Sequence, residues 1–322
     1  MPKEVFGRDF AFLPRELVLS FEEIERLARL FVELGVTKLR ITGGEPLVRR
    51  DLPRLIERLA RLRRPDGGDI DLTLTTNGSA LAAVASDLAA AGLRRITVSL
   101  DSLDDATFRA MNDVDFPVER VLGGIAAARD AGLEPVKVNM VVRRGLNETS
   151  VLPMARWARA EGYILRFIEY MDVGHTNGWR LDDVVPAAEI VAAIATELPL
   201  VPLPPNYVGE VANRWRYLDT TADAVNAGDA GNAAEVGVIA SVTEPFCGSC
   251  TRARLSADGH LYTCLFGTDG HDLRAALRGG IADDELLTTI AGIWSARADR
   301  YSELRSAATR DLPRPEMFAL GG

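Results

Sequence analysis

The sequence predicts an α/β fold organised around a parallel sheet, with a smaller unit of different character after it. Helical periodicity alternates with short β-rich runs through the first 172 residues, and a glycine stands directly before one strand after another. Cys247, Cys250 and Cys264, all the cysteines of the chain, then fall together in one short segment near the C-terminus and mark off the smaller unit.

The first helix is read from Ile24, Leu27, Phe31 and Leu34, which recur at helical spacing behind a capping box, Ser20-x-x-Glu23, and stop at Gly35. The strand KLRIT (38–42) follows directly, and the helical segment LPRLIERLARL (52–62) leads to a second strand within DIDLTLTTNG (69–78). Gly92 precedes the strand RRITVSL, Gly132 precedes VKVNMVV, and Gly162 precedes YILRFIEY. Five strands joined by helices imply right-handed crossovers, in either a barrel-like or a doubly wound sheet. In both architectures chemistry belongs at the carboxyl ends of the strands. Those ends read TGGEP (42–46), TTNG (75–78), SLD (99–101), KVNM (137–140) and EYMD (169–172), and most place small or hydroxyl residues beside an amide or carboxylate. After residue 172 the alternation dissolves into the proline-rich VPLPPNYVGE and a small-residue stretch, 221–237, expected to be a mobile surface insertion. The expected division is a core of residues 1–172 and a second unit of residues 173–322.

With 322 residues, 47% hydrophobic and 26% charged, the chain can bury one large core. A net charge of -9 argues against nucleic acid or a membrane surface as a general partner. No apolar run is long enough to cross a bilayer and residues 1–19 lack a secretory signal, so a cytoplasmic location is expected. Lysine occurs only at Lys3, Lys38 and Lys137. Lys137 within VKVNMVV and Arg40 within KLRIT are costly to turn inward without an anionic partner, so each either faces a polar cavity or snorkels outward.

In FCGSCTRARLSADGHLYTC (246–264) the C-x2-C start suits metal ligation in a reducing compartment better than a disulfide with one cysteine over. Asp258-Gly259 signals a hairpin turn. A three-residue loop of Ala257, Asp258 and Gly259 sets Ser256 opposite His260, Arg254 opposite Tyr262 and Arg252 opposite Cys264. Cys250, Arg252, Arg254 and Cys264 then share one face. His260 lies roughly 13 Å along the strand from Cys264, too far to share a metal with it, and reads as a surface residue near the turn. Three thiolates without a fourth protein ligand suit an iron–sulfur cluster with one open iron. Zinc completed by Asp, Glu or water remains an alternative. Arg252 and Arg254 beside such a metal match phosphate oxygens, and with Arg40 and Lys137 they would form an anion-binding chamber.

The set FVELGVTKLRITGGEPLVRRDL, LTLTTNG, ITVSLDS, KVNMVV, FIEYMDVG and FCGSCTRARLSADGHLYTCLFG resembles the GTP 3',8-cyclase family of radical SAM enzymes, from residue 1 to the terminal Gly321-Gly322. The resemblance implies an incomplete radical SAM partial TIM barrel, first strand missing, with a smaller C-terminal iron–sulfur domain. It implies conversion of GTP to (8S)-3',8-cyclo-7,8-dihydroguanosine 5'-triphosphate, the first step of molybdenum cofactor biosynthesis. A [4Fe-4S] cluster on Cys247, Cys250 and Cys264 would bind GTP at its open iron, with Arg40, Thr75, Lys137, Arg252, Ala253 and Arg254 around the substrate. Gly44, Glu45, Ser99 and Met171 would surround S-adenosylmethionine, and Gly321 and Gly322 would reach the active site. The family's C-x3-C-x2-C motif, which holds a second [4Fe-4S] cluster, would precede Met1-Pro2-Lys3. The expectation is an internal methionine taken as the start of a longer active enzyme, against an inactive remnant or a non-enzymatic metal- and nucleotide-binding protein. An electron donor and cyclic pyranopterin monophosphate synthase would be its partners, with room for a homodimer.

Overall fold

A computed structural model describes residues 13–113, 115–174, 178–218 and 235–305. Gly321, Gly322 and residues 221–234 lie outside the described residues.

Strands β1 (Lys38–Ile41), β2 (Asp71–Thr76), β3 (Arg95–Ser99), β4 (Lys137–Val142) and β5 (Ile164–Glu169) are mutually parallel, each pairing with the next. Helices α1 (Phe21–Glu33), α2 (Leu52–Ala60), α3 (Leu81–Ala90), α4 (Asp105–Asn112) with α5 (Val118–Asp130), and α6 (Val151–Glu161) alternate with them. The expected capping box starts α1: Ser20 Oγ accepts from the Glu23 N–H at 3.1 Å and Glu23 Oε2 accepts from the Ser20 N–H at 2.7 Å. Gly35, Gly92, Gly132 and Gly162 take positive φ and end the helices before their strands.

The sheet does not stop at residue 172. After α7 (Ala187–Ala195) come β6 (Leu200–Leu203), β7 (Asn213–Tyr217) and β8 (Glu235–Ile239), and the sheet order is β1-β2-β3-β4-β5-β8-β7-β6. β8 extends the parallel series beside β5, while β7 and β6 run antiparallel. Residues 235–237, read from the sequence as the end of an insertion, are thus the first half of an interior strand. Val236 and Val238 are fully buried there, and that burial places the segment in the core. Among the described residues β1 is an edge strand, and the sheet is an open partial barrel.

One face of the sheet is apolar. Leu72, Leu74, Ile96, Val98, Val138, Met140, Leu165 and Phe167 pack there against Ile56, Leu88, Ile125, Met154 and Ile190 of the helices. The smaller unit holds an antiparallel sheet of β9 (Arg254–Leu255), β10 (His260–Tyr262) and β11 (His271–Asp272), followed by α8 (Leu273–Arg278), α9 (Asp283–Ser295) and α10 (Tyr301–Leu304). It docks on α1: Leu27 and Leu30 join Leu261, Leu273, Leu277, Leu286 and Ile290 in a second apolar cluster. Arg26 Nε reaches Asp283 at 2.7 Å, and the Leu19 N–H donates to the Ala257 carbonyl at 2.8 Å. Among the described residues no helix is long and apolar enough to cross a membrane.

A buried clamp joins the ends of β3 and β4. The Asp101 carboxylate accepts from the Val141 N–H at 2.8 Å, and Asn147 Nδ2 donates to the carbonyls of Asp101 (2.9 Å) and Val141 (2.8 Å). Burial pushes the Asp101 carboxyl up to about 6, while the Val141 N–H and Asn112 restrain it. Its unfolded value is about 3.9, so the native form takes up the proton first as pH falls through 6. The cost of the buried charge is therefore fully present above pH 6 and disappears towards pH 4. Asp101→Asn should stabilise the protein at pH 7.5, by at most about 3 kcal/mol, with the advantage falling to about a third at pH 4.5 in thermal unfolding. Equal gains at both pH values would contradict this origin.

Candidate active site

Strand parity decides what lines the other face of the sheet. The residues alternating with the apolar ones are Lys38 and Arg40 on β1, Asp71, Thr73 and Thr75 on β2, Arg95, Thr97 and Ser99 on β3, Lys137 and Asn139 on β4, Arg166 on β5 and Glu235 on β8. Arg40 Nη1 donates to Thr75 Oγ1 at 2.7 Å and reaches Thr97 Oγ1 at 3.5 Å, which brings two of the sequence-predicted site residues together. Of the two orientations open to Arg40 and Lys137, both take the inward one.

This face carries more cations than carboxylates. Asp71 serves Arg95 (Nε–Oδ1 2.8 Å) and Lys38 (3.6 Å), and Glu235 serves Arg166 and Arg214. Gly237 leaves room for Arg166, since a β-carbon there would stand 2.8 Å from its Cδ. Among the described residues Lys137 keeps no carboxylate of its own: burial first, then Arg166 and Arg95, lower its ammonium to about 8 against the pull of Glu235. Desolvation, then Arg95, likewise depress Arg40, although its side chain stays accessible to water; a charge in a concave wall is ringed by protein while open on one side. Lys38, Arg95 and Arg166 were not singled out from the sequence. Their signal was parity, since Lys38 sits two residues before Arg40, and Arg95 pairs with Thr73, the register partner of Arg40.

The hairpin adopts the expected register: Arg254 pairs with Tyr262 and Leu255 with Leu261, the Ser256 N–H donates to the His260 carbonyl at 2.9 Å, and Gly259 closes the turn at φ 84°. His260 lies against Asp258 in that turn, 3.0 Å away, apart from the cysteines as predicted, but half-buried and not on the open surface. No disulfide joins the three half-buried cysteines. Arg252 donates to Cys250 Sγ at 3.4 Å and the Phe266 N–H to Cys264 Sγ at 3.5 Å. Burial raises the Cys250 thiol but Arg252 and Arg297 outweigh it, so the net shift is downward. Cys264 is raised, by burial first and then by Asp299 and Cys247. Arg254 is lowered to about 10, by burial and Arg252 foremost, and lies within electrostatic reach of Cys264, Cys250 and Arg40. Hairpin and sheet therefore present their cations to one another. Ala253 is exposed between the two arginines.

At the strand ends the Glu45 carboxylate is held by the Leu47 N–H (2.9 Å), Thr76 Oγ1 (2.7 Å) and the Asn77 N–H (2.7 Å), binding the loop that contains exposed Gly44 to the end of β2. Ser99 ends β3, and half-buried Met171 follows β5. Buried Glu169 accepts from the N–H groups of Ala187, Val242 and Thr243 at 2.8–2.9 Å, fixing the chain after β8. Asp172 accepts from Tyr301 Oη at 2.7 Å and Arg305 Nε at 2.9 Å. The Gly248 N–H donates to Glu303 at 3.1 Å, so α10 spans from the strand ends to the cysteine turn.

The family described as Radical SAM superfamily matches residues 6–158, and that described as Molybdenum Cofactor Synthesis C matches residues 163–303. The GTP 3',8-cyclase of Acidothermus cellulolyticus is 55% identical over 310 residues, 95% of this chain and 81% of that protein. The GTP 3',8-cyclase of Xanthomonas axonopodis pv. citri is 49% identical over 322 residues, 100% of this chain and 91% of that protein. The chain belongs to the GTP 3',8-cyclase family of radical SAM proteins. For a GTP 3',8-cyclase the open partial barrel is the radical SAM core, and membership implies a [4Fe-4S] cluster and S-adenosylmethionine. The cysteine segment fits a cluster, because N–H donors aimed at Cys250 and Cys264 sulfur are the contacts that tune iron–sulfur ligands. Among the described residues no three His, Cys, Asp or Glu side chains close on one point as a single metal ion requires.

An anion bound beside Lys137 would meet a charge that titrates near 8. Pyrophosphate should bind the protein about tenfold more weakly at pH 9 than at pH 7, because Lys137 loses its proton near 8. Calorimetric titration of Lys137→Met should lack that decline apart from pyrophosphate's own ionisation; an undiminished decline would remove Lys137 from the site.

Proposed function

We propose that the chain converts GTP to (8S)-3',8-cyclo-7,8-dihydroguanosine 5'-triphosphate, the S-adenosylmethionine-dependent first step of molybdenum cofactor biosynthesis. Family membership supports the reaction, and one observation supports the placing of the substrate. Arg254 lies within electrostatic reach of both the strand cation Arg40 and the thiols of Cys250 and Cys264. A nucleotide between sheet and hairpin can put its phosphates on guanidinium groups and its base towards the thiols.

Cys247, Cys250 and Cys264 would hold a [4Fe-4S] cluster that leaves one iron without a protein ligand for the base. The 5'-deoxyadenosyl radical would be supplied by S-adenosylmethionine on a second, reduced cluster, whose ligands are not Cys247, Cys250 and Cys264, the cysteines assigned to the nucleotide's cluster. This chain's residues orient the reactants. Arg40 is braced by Thr75 and Thr97, so it meets phosphate oxygens already fixed in direction. Lys137 adds a charge that an anion would keep protonated, and Ala253 leaves the gap between the two arginines unobstructed. The loop tied by Glu45, with Gly44, Ser99 and Met171, forms the strand-end rim where S-adenosylmethionine would lie. Gly321 and Gly322, proposed to reach the active site, lie outside the described residues; the described chain ends at Arg305, anchored on Asp172. The reaction needs an electron donor, and its product passes to cyclic pyranopterin monophosphate synthase.

Arg252 and Arg254 should separate on mutation. Arg252 touches the Cys250 sulfur, so Arg252→Ala disturbs the cluster ligand as well as the phosphate site. Arg254→Ala should preserve the brown colour and iron content of anaerobically isolated protein while weakening GTP at least tenfold in calorimetry. Cys264→Ser should lose most of the roughly four irons these cysteines hold. Unchanged GTP affinity in Arg254→Ala would sink the placing of the nucleotide, and unchanged iron in Cys264→Ser would sink the ligand assignment.

A further inference from the structure

The segment between β6 and β7, Pro204 to Glu210, is proline-rich and reads as a linker, but its backbone is fastened at both ends. The Asn206 N–H donates to Glu210 Oε2 at 2.6 Å, the Glu210 N–H to the Tyr207 carbonyl at 3.2 Å, and Arg214 Nη1 to the Pro204 carbonyl at 2.9 Å. Arg214 in turn pairs with Glu235, which pairs with Arg166, so the loop's neck is tied to the polar face of the sheet.

Its far side lies on the cysteine turn. Gly209 has φ 85°, and a β-carbon there would stand 2.8 Å from the Ser249 carbonyl oxygen and 2.9 Å from Thr251 Oγ1. Those two residues flank Cys250, and only glycine permits both the conformation and the approach. The loop thus bridges sheet and hairpin on the side where their cations face one another. At its tip Tyr207 is 53% exposed, yet it stands within electrostatic reach of the Arg40 guanidinium. A phenol held open to water on a loop that packs against the cysteine turn offers a ring that a ligand can cover and a hydroxyl that can donate to an anion.

We propose that Tyr207 is a substrate-binding residue: its hydroxyl donates to the phosphate oxygens that Arg40 holds, and its ring shields that ion pair from solvent. This rests on the placing of the nucleotide given above. The loop then forms a third wall of the site, beside the sheet and the hairpin, and its attachment to Ser249 and Thr251 fixes the phosphate end relative to the thiols.

The test uses the 322-residue chain, isolated anaerobically with its iron, and titrates GTP, inorganic triphosphate and guanosine by calorimetry. Tyr207→Phe should weaken GTP and triphosphate about tenfold each, leave guanosine unchanged, and keep iron content and thermal stability. Nitration of Tyr207 by tetranitromethane, read by peptide mass spectrometry, should be suppressed by saturating GTP. Parent-like triphosphate affinity in Tyr207→Phe, or nitration indifferent to GTP, overturns the assignment. Arg254→Ala is the reference: if it weakens GTP while Tyr207→Phe does not, Tyr207 alone is wrongly placed, and if neither does, the nucleotide site itself is.

Discussion

The structure depends on a surplus of positive charge along one face of a parallel sheet. Strand period two sends the apolar residues to the helices and leaves Lys38, Arg40, Arg95, Lys137 and Arg166 opposite them, with Asp71 and Glu235 as their carboxylate partners on that face. A protein of net charge -9 concentrates cations where they cannot neutralise one another, and the depressed Lys137 and Arg40 record the cost. Among the described residues Asp71 and Glu235 leave that charge in excess, and a bound anion would relieve it and be favoured by it.

The smaller unit converts that charged wall into a site with depth. Its position comes from α1, which spends one face on the main core and the other on Leu261, Leu273, Leu277, Leu286 and Ile290. The hairpin follows from that docking, since Leu261 is both its buried strand residue and part of the cluster. Arg252, Arg254 and the thiols are thereby held over the sheet by apolar packing remote from them. Charge repulsion between Arg254 and Arg40 opposes this closure. The packing, with α10 latched to Asp172 through Tyr301 and Arg305, outweighs it.

The first half of the fold was legible because its signals are local. Capping box, helix-stop glycines and strands repeat within about 40 residues, a length at which periodicity is informative. The hairpin register was legible for a second reason: Asp258-Gly259 allows few turns, and the need for Cys250 and Cys264 to share a face selects among them. What escaped was long-range. Arg166 reads as one polar residue in an apolar strand, and the Glu235 that balances it is 69 positions away, beyond a small-residue stretch that hides the start of β8. The loop at 204–210 escaped similarly, because its role lies in the contact of Gly209 with Ser249, which no local pattern announces.

Arg252 and Arg254 show how closely the two halves of the site are coupled. They are two residues apart, but Arg252 spends a donor on the Cys250 sulfur while Arg254 lies within electrostatic reach of Cys264, Cys250 and Arg40. An anion bound at Arg254 in the proposed site would compete with thiolate for its field and so raise the basicity of the sulfur groups, while negative charge on those groups would strengthen Arg254's hold on its own charge. The coupling is reciprocal by necessity. In the proposed site, nucleotide binding and the chemical state of the cysteines would therefore be linked through Arg254.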